Sequence, residues 1–141
     1  MGTIRKSIEV RTEAAEVWGA MRDYGAVHER VVPGFVVAST LEGRDRVITF
    51  ISGAVARERL VSLDDDRRRL VYAVVDSGLG FEHHQSSVDV VDVVEPGGDR
   101  ADDRVGCRIV WTTDLLPDKL AETIDGLMSA GAAAMQRAFG A

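Results

Sequence analysis

The strongest constraint on this chain is a change of period along its length. From residue 35 onward, six runs read as strands: FVVASTL, RVITFIS, AVARERLVSL, RLVYAVV, HQSSVDVVDVV and VGCRIVWTTDL. They are rich in β-branched and aromatic residues and are bounded by Gly or charged turns. The links are Glu42-Gly43-Arg44-Asp45, Gly53, Asp64-Asp65-Asp66-Arg67, Gly78-Leu79-Gly80 and a polar tip over residues 95–103. Every link is of hairpin type, with no crossover helix between strands, so the sheet is expected to be antiparallel. After residue 118 the period lengthens. Leu120, Ile124, Leu127, Met128, Gly131, Met135 and Phe139 step by three or four, with Lys119, Glu122, Asp125, Ser129 and Gln136 between them. This spacing predicts an amphipathic helix over residues 118–139, roughly 33 Å long at about 1.5 Å per residue and able to lie across a whole sheet.

The start of the chain adds three elements. Residues 3–11 alternate, with Ile4, Lys6, Ile8 and Val10 on one face and Arg5, Ser7, Glu9 and Arg11 on the other, which predicts a strand whose apolar face Lys6 interrupts. Thr12 stands where it can cap a short helix that Asp23-Tyr24-Gly25 ends. A second helical piece is expected over residues 26–30, and Pro33-Gly34 returns the chain to extended structure. The order is strand, two short helices, six strands and a long helix, an α+β arrangement. Gly126, Gly131 and Ala132 to Ala134 thin the middle of the last helix. Close packing on the sheet and room for a ligand both fit that thinness.

Several classes are set aside by length, charge and composition. At 141 residues one domain, residues 1–141, is expected. No window approaches 18 unbroken apolar residues, so no membrane span is expected, and MGTIRKSIEVRTEA lacks the apolar core of a secretory signal. A cytoplasmic protein is the expectation. The net charge of −6 argues against nucleic-acid binding, which needs a surplus of Lys and Arg. One cysteine, Cys107, and three histidines offer neither an internal disulfide nor a structural zinc site. No metal and no cofactor are expected, since no Gly-rich phosphate cradle, nucleophile elbow or HExxH string is present.

Two strings carry a family resemblance. IRKSIEVRTEAAEVWGAMRDYG, with Val17-Trp18 and Asp23-Tyr24, and VARERLVSLDDDRRRLVYAVVDSG resemble the SRPBCC, or START-like, superfamily in its polyketide cyclase/dehydrase branch. The resemblance covers nearly the whole chain. It implies a helix-grip fold: a curved antiparallel sheet of seven strands gripping the last helix, with two short helices and a cavity that takes a small apolar molecule or lipid. It also implies that Glu58, in the RERL string, faces that cavity, and that Gln85 and Ser87 do too. Members include cyclases, aromatases, lipid carriers, hydrolase-like proteins and many with no known activity, so fold alone does not choose among these roles.

The residues themselves nominate the same region. Glu58 shares a strand face with Ala54, Ala56, Leu60 and Ser62, while Arg57 and Arg59 lie on the other. A carboxylate in an apolar cavity can act as acid, base or polar anchor, and a half-buried glutamate paired with an arginine is the alternative. Tyr72 alternates with Leu70 and Val74 and is either an aromatic filler or a hydrogen-bond donor to a ligand. The next strand offers His83, Gln85, Ser87 and Asp89 on one face and His84, Ser86, Val88 and Val90 on the other. Adjacent His83 and His84 point to opposite faces and cannot chelate one ion, so they read as surface or rim residues. Cys107, Ile109 and Trp111 read as an inward set, although Val110, Thr112 and Asp114 compete for that face. The expected ligand-facing set is Glu58, Tyr72, Gln85 and Ser87, walled by Leu60, Val74, Ile124, Met128 and Met135, with an entrance formed by residues 27–33 and 77–81. Binding of a small, largely apolar partner molecule is the leading expectation. A cyclase or aromatase using Glu58, and a filled-core interaction module, are the rivals.

Overall fold

The strand-period runs all become strands. The structure, a computed structural model, describes residues 2–93 and 106–140, so the polar tip at residues 95–103 lies outside the described residues. In chain order the elements are β1 (Gly2–Val10), α1 (Ala14–Arg22), α2 (Val27–Arg30), β2 (Val36–Glu42), β3 (Asp45–Phe50), β4 (Val55–Asp64), β5 (Arg69–Ser77), β6 (His83–Asp92), β7 (Cys107–Leu116) and α3 (Ala121–Phe139). The seven strands form one sheet ordered β1-β7-β6-β5-β4-β3-β2, and every pair is antiparallel. This is the helix-grip fold, with α3 laid along the sheet's inner face.

Lys6 explains the interruption of the first strand. Ile4, Ile8 and Val10 are buried, and Lys6 between them pairs with Asp125 on α3. The strand therefore keeps its inward face under the helix while its one charge there is matched. Thr12 departs from expectation. Its hydroxyl donates to the Phe139 carbonyl at 2.6 Å rather than capping α1, whose preceding residue is Glu13. The Arg11 and Thr12 amides donate to the Gly140 and Phe139 carbonyls, so the end of β1 closes the free carbonyls at the C-terminus of α3.

α3 begins later than the sequence spacing predicts, because residues Asp118–Leu120 form a single 3-10 turn. Its inward face carries Ile124, Met128, Gly131, Ala134, Met135 and Phe139, all buried; each large apolar side chain there contributes about 1.5–3 kcal/mol by leaving water. Leu127 falls off this face and is 37% exposed. The two helix glycines have different surroundings. A Cβ on Gly131 would stand 2.9 Å from the Trp111 ring and 3.4 Å from Phe35, whereas one on Gly126 would meet nothing within 4 Å. Gly131 thus serves close packing of helix on sheet. No helix among the described residues is long and apolar enough to cross a membrane.

These surroundings predict opposite responses to one substitution. Gly126→Ala adds helix propensity in open space and should stabilise by about 0.5–1 kcal/mol in urea unfolding. Gly131→Ala makes the same propensity gain but must displace Trp111, and overpacking of that kind costs about 1–3 kcal/mol, so its midpoint should fall below that of Gly126→Ala and to or below that of the parent.

Candidate functional site

The curvature of the sheet and the line of α3 leave a cavity of about 320 Å³ between them. Strand alternation decides which side chains reach it. From β3 come Arg46, Ile48 and Phe50; from β4, Ala56 and Glu58; from β5, Leu70, Tyr72 and Val74; from β6, His84, Ser86 and Val88; from β7, Trp111 and Thr113. α3 supplies Ile124, Leu127, Met128 and Met135. Val27, Val31 and Val32 line it too but are buried, whereas Val55, Leu79 and Leu127 line it and are exposed. The cavity therefore meets solvent beside the β5–β6 loop, the start of β4 and the middle of α3. Residues 27–32 are a wall of the cavity rather than its entrance.

Of the expected set, Glu58, Tyr72, Val74, Ile124, Met128 and Met135 line this space. Three do not. Gln85 is exposed and Ser87 half-buried on the opposite face of β6, where they follow the parity of His83 and Asp89. The inward set is His84, Ser86, Val88 and Val90, all buried; the apolar residues of that strand belong to it, so burial of Val88 and Val90 fixes the parity. Leu60 packs against the core beyond the cavity, next to a register shift in β4 between Leu60 and Ser62. Trp111 takes the inward face with Cys107 and Ile109, and its indole Nε1 donates to the Tyr72 hydroxyl at 3.1 Å.

Glu58 has an arginine partner, but on the inner face. Arg46 lies opposite it in the β3–β4 register and donates from Nε to Glu58 Oε1 at 2.8 Å, with Nη2 in ion-pair contact with the same oxygen at 2.8 Å and both side chains 8% exposed. Arg46 Nη1 also donates to the Tyr24 carbonyl at 3.2 Å, and the Tyr24 hydroxyl donates to the Glu58 carbonyl at 2.9 Å. The guanidinium carbon sits 4.0 Å from the Tyr24 ring centre and 5.2 Å from that of Tyr72, a cation stacked on aromatic faces. Arg57 and Arg59, on the outer face, are held by Asp45 instead, and hydrogen bonds from Arg59 and then Arg57 keep the Asp45 carboxyl below its usual range.

His84 is the second polar centre, and it is a cavity residue rather than a rim residue. The Val74 amide donates to its Nδ1 at 3.1 Å. An amide can only donate, so Nδ1 carries the lone pair and the ring proton sits on Nε2. Nε2 lies 3.5 Å from Ser86 Oγ, which is 2.6 Å from Thr113 Oγ1. The Phe81 and Tyr72 rings flank the imidazole at centroid distances of 5.0 and 6.0 Å. Burial pushes the His84 pKa down to about 4, and it pushes that of Tyr72 up. Burial likewise raises the Cys107 thiol to about 11, which keeps it protonated and unreactive as a nucleophile. No group of three His, Cys, Asp or Glu among the described residues is placed to hold a metal.

Arg46, His84, Ser86 and Thr113 were not nominated from the sequence. A signal for Arg46 was present: it alternates with Ile48 and Phe50 in one hairpin arm, as Glu58 alternates with Ala56 in the other.

The profile of the polyketide cyclase / dehydrase and lipid transport family matches residues 1–141. Among solved structures, the protein XoxI from Bacillus cereus superposes with a TM-score of 0.80 at 20% identity, covering 99% of this chain and 96% of that one. A Thermobifida fusca protein solved by NMR is 32% identical, with a TM-score of 0.68 over 98% of this chain and 95% of that one. Norcoclaurine synthase from Thalictrum flavum, in complex with dopamine and hydroxybenzaldehyde, has a TM-score of 0.65 at 20% identity, covering 96% of this chain and 84% of that one.

Two outcomes test the site's electrostatics. Removing one member of a buried ion pair strands the other charge, so Arg46→Met and Glu58→Met should each cost about 3–5 kcal/mol in urea unfolding, and the double substitution less than either alone. For His84, the folded pKa lies below the unfolded value near 6.5. The unfolded chain thus binds the extra proton between those values, so His84's contribution is full above about pH 6.5 and is lost as pH falls toward 4, on the order of 3 kcal/mol in total. Unfolding measured from pH 7 to 4 should show this acid loss, and His84→Gln should flatten it.

Proposed function

The chain belongs to the polyketide cyclase / dehydrase and lipid transport family, and from that premise we propose that it binds one small, largely apolar molecule in the cavity between the sheet and α3. The observation that carries this reading is a space of about 320 Å³ whose wall is mostly Val, Ile, Leu, Met and aromatic side chains, within the size range of small-ligand sites. Binding draws on apolar area leaving water on both sides. Glu58 and Tyr72 are the orienting groups already in the expected set, and Val74, Ile124, Met128 and Met135 are wall. The exposed apolar residues Val55, Leu79 and Leu127 at the mouth support a ligand that enters from that side. The reading extends to one domain over residues 1–141, acting in the cytoplasm.

Binding without turnover is preferred over a cyclase reaction for a geometric reason. Two nitrogens of Arg46 fall on one oxygen of Glu58, which makes the carboxylate part of a fixed, paired group. General acid–base work asks for a group that can take or give a proton at the reacting atom. His84 is buried with Nδ1 occupied by a backbone amide, so its lone pair is not presented to the cavity. An aromatic ligand is favoured, since Tyr72, Trp111, Phe35 and Phe50 all line the space and offer ring faces and edges to it. The dopamine and hydroxybenzaldehyde in the norcoclaurine synthase complex are ligands of the same small aromatic kind.

Titration with the neutral probe N-phenyl-1-naphthylamine should give saturable, blue-shifted emission at one site per chain. Ala56 faces the cavity from β4 and is 6% exposed. Ala56→Phe should fill part of the space and weaken the probe at least tenfold, on the order of 1.4 kcal/mol, while circular dichroism stays that of the parent. A probe bound equally well by Ala56→Phe would place the binding elsewhere.

A further inference from the structure

We propose that the β5–β7 wall of the cavity is a subsite for one uncharged carbonyl oxygen of the ligand, formed by Tyr72, His84, Ser86 and Thr113. The inference rests on the cavity being the ligand site and adds the chemistry it selects. Proton accounting carries it. Trp111 Nε1 can only donate, so the Tyr72 oxygen accepts at 3.1 Å and the phenolic proton remains to be placed. The Val74 amide fixes the ring proton of His84 on Nε2. Ser86 and Thr113 share one hydrogen bond at 2.6 Å, which uses only one of their two hydroxyl protons. Ser86 also stands close enough to Tyr72 for its hydroxyl to act on the phenol. Tyr72, Ser86 and Thr113 thus have three hydroxyl protons and two contacts among themselves, so one proton is left without a contact.

Both hydroxyl residues are 1% exposed and line the cavity, so a partner for that proton has to come from within the cavity. An unmatched buried donor is costly, and a ligand that supplies an acceptor removes that cost. The acceptor is neutral for two reasons. Arg46, the buried cation beside Tyr72, is already matched by Glu58, and His84 stays uncharged through the physiological range. A carboxylate would therefore bring an unbalanced charge into the cavity. A carbonyl oxygen takes up that proton with either of two lone pairs and brings none of its own.

The test compares 2-acetylnaphthalene with 2-ethylnaphthalene, which match in shape and differ in the carbonyl. Competition against N-phenyl-1-naphthylamine should rank the ketone tighter by about tenfold, the worth of one well-made buried hydrogen bond. The ratio of the two affinities should fall toward one in Ser86→Ala/Thr113→Val. Because that variant can lose its fold, a second reading uses the parent protein: the carbonyl 13C resonance of bound, labelled 2-acetylnaphthalene should lie downfield of its position in a hydrocarbon solvent. Equal affinities for the two compounds in the parent protein, or a bound carbonyl resonance at the hydrocarbon position, would overturn the subsite and leave the cavity reading intact. Failure of both compounds and of N-phenyl-1-naphthylamine to bind would overturn both.

Discussion

The distance of α3 from the sheet is the constraint on which the rest of this molecule depends, and it is set where Gly131 meets Trp111. Without a side chain at that position the helix backbone comes down onto the indole ring, and Ala134, 0% exposed, continues the contact. Toward the N-terminal half of α3 the bulkier Ile124 and Met128 bridge to Ile4 and Leu115 as a separate cluster. Contact at these places holds the helix as a roof, and the sheet curves away beneath it. The empty volume is thus a product of shape, fixed by a few close contacts, and does not require an unstable or underpacked core elsewhere. The main cluster, which draws on all three helices and all seven strands, is continuous and well buried.

Inside that volume charge and polarity are handled in pairs. Arg46 and Glu58 cancel one another between two tyrosine rings, and the Tyr24 hydroxyl ties the arrangement to the β4 backbone. His84, Ser86 and Thr113 form a chain of neutral groups instead. A cavity built this way offers direction without net charge. On the reading proposed above, it would orient an uncharged ligand by hydrogen bonds while its apolar walls supply most of the affinity.

The architecture was legible because period and turn length are local properties. Alternation marked each strand, short links made the sheet antiparallel, and the step of three or four marked α3. Interior detail was less legible where it depended on partners distant in sequence. On β6 both faces begin polar, and the choice between Gln85 with Ser87 and His84 with Ser86 turned on Val88 and Val90 further along the strand; the family resemblance pointed to the wrong parity. Glu58 lines the cavity, but its partner comes from β3 across a hairpin rather than from the arginines beside it in sequence. Thr12 had the residue type and position of a helix cap and was taken by the Phe139 carbonyl, a group more than a hundred residues away that no local rule can anticipate. Leu60 keeps the inward alternation and packs on the core, but it does so beyond the cavity.

The pairing of β1 with β7, and the closure of α3 by Arg11 and Thr12, has a consequence for how the molecule comes into being on the ribosome. The hairpins from β2 to β6 can pair as they emerge, since each partner follows its neighbour closely. β1, made first, has no sheet partner until residues 107–116 exist, and the inner face has no roof until residues 121–139 follow. During synthesis the nascent chain therefore carries an unpaired strand and an uncovered apolar concavity at once, the two features that most favour association with other unfinished chains. Completion of the sheet and its cover is tied to the arrival of α3, so any delay in making residues 107–139 prolongs the interval in which strand and concavity stand open.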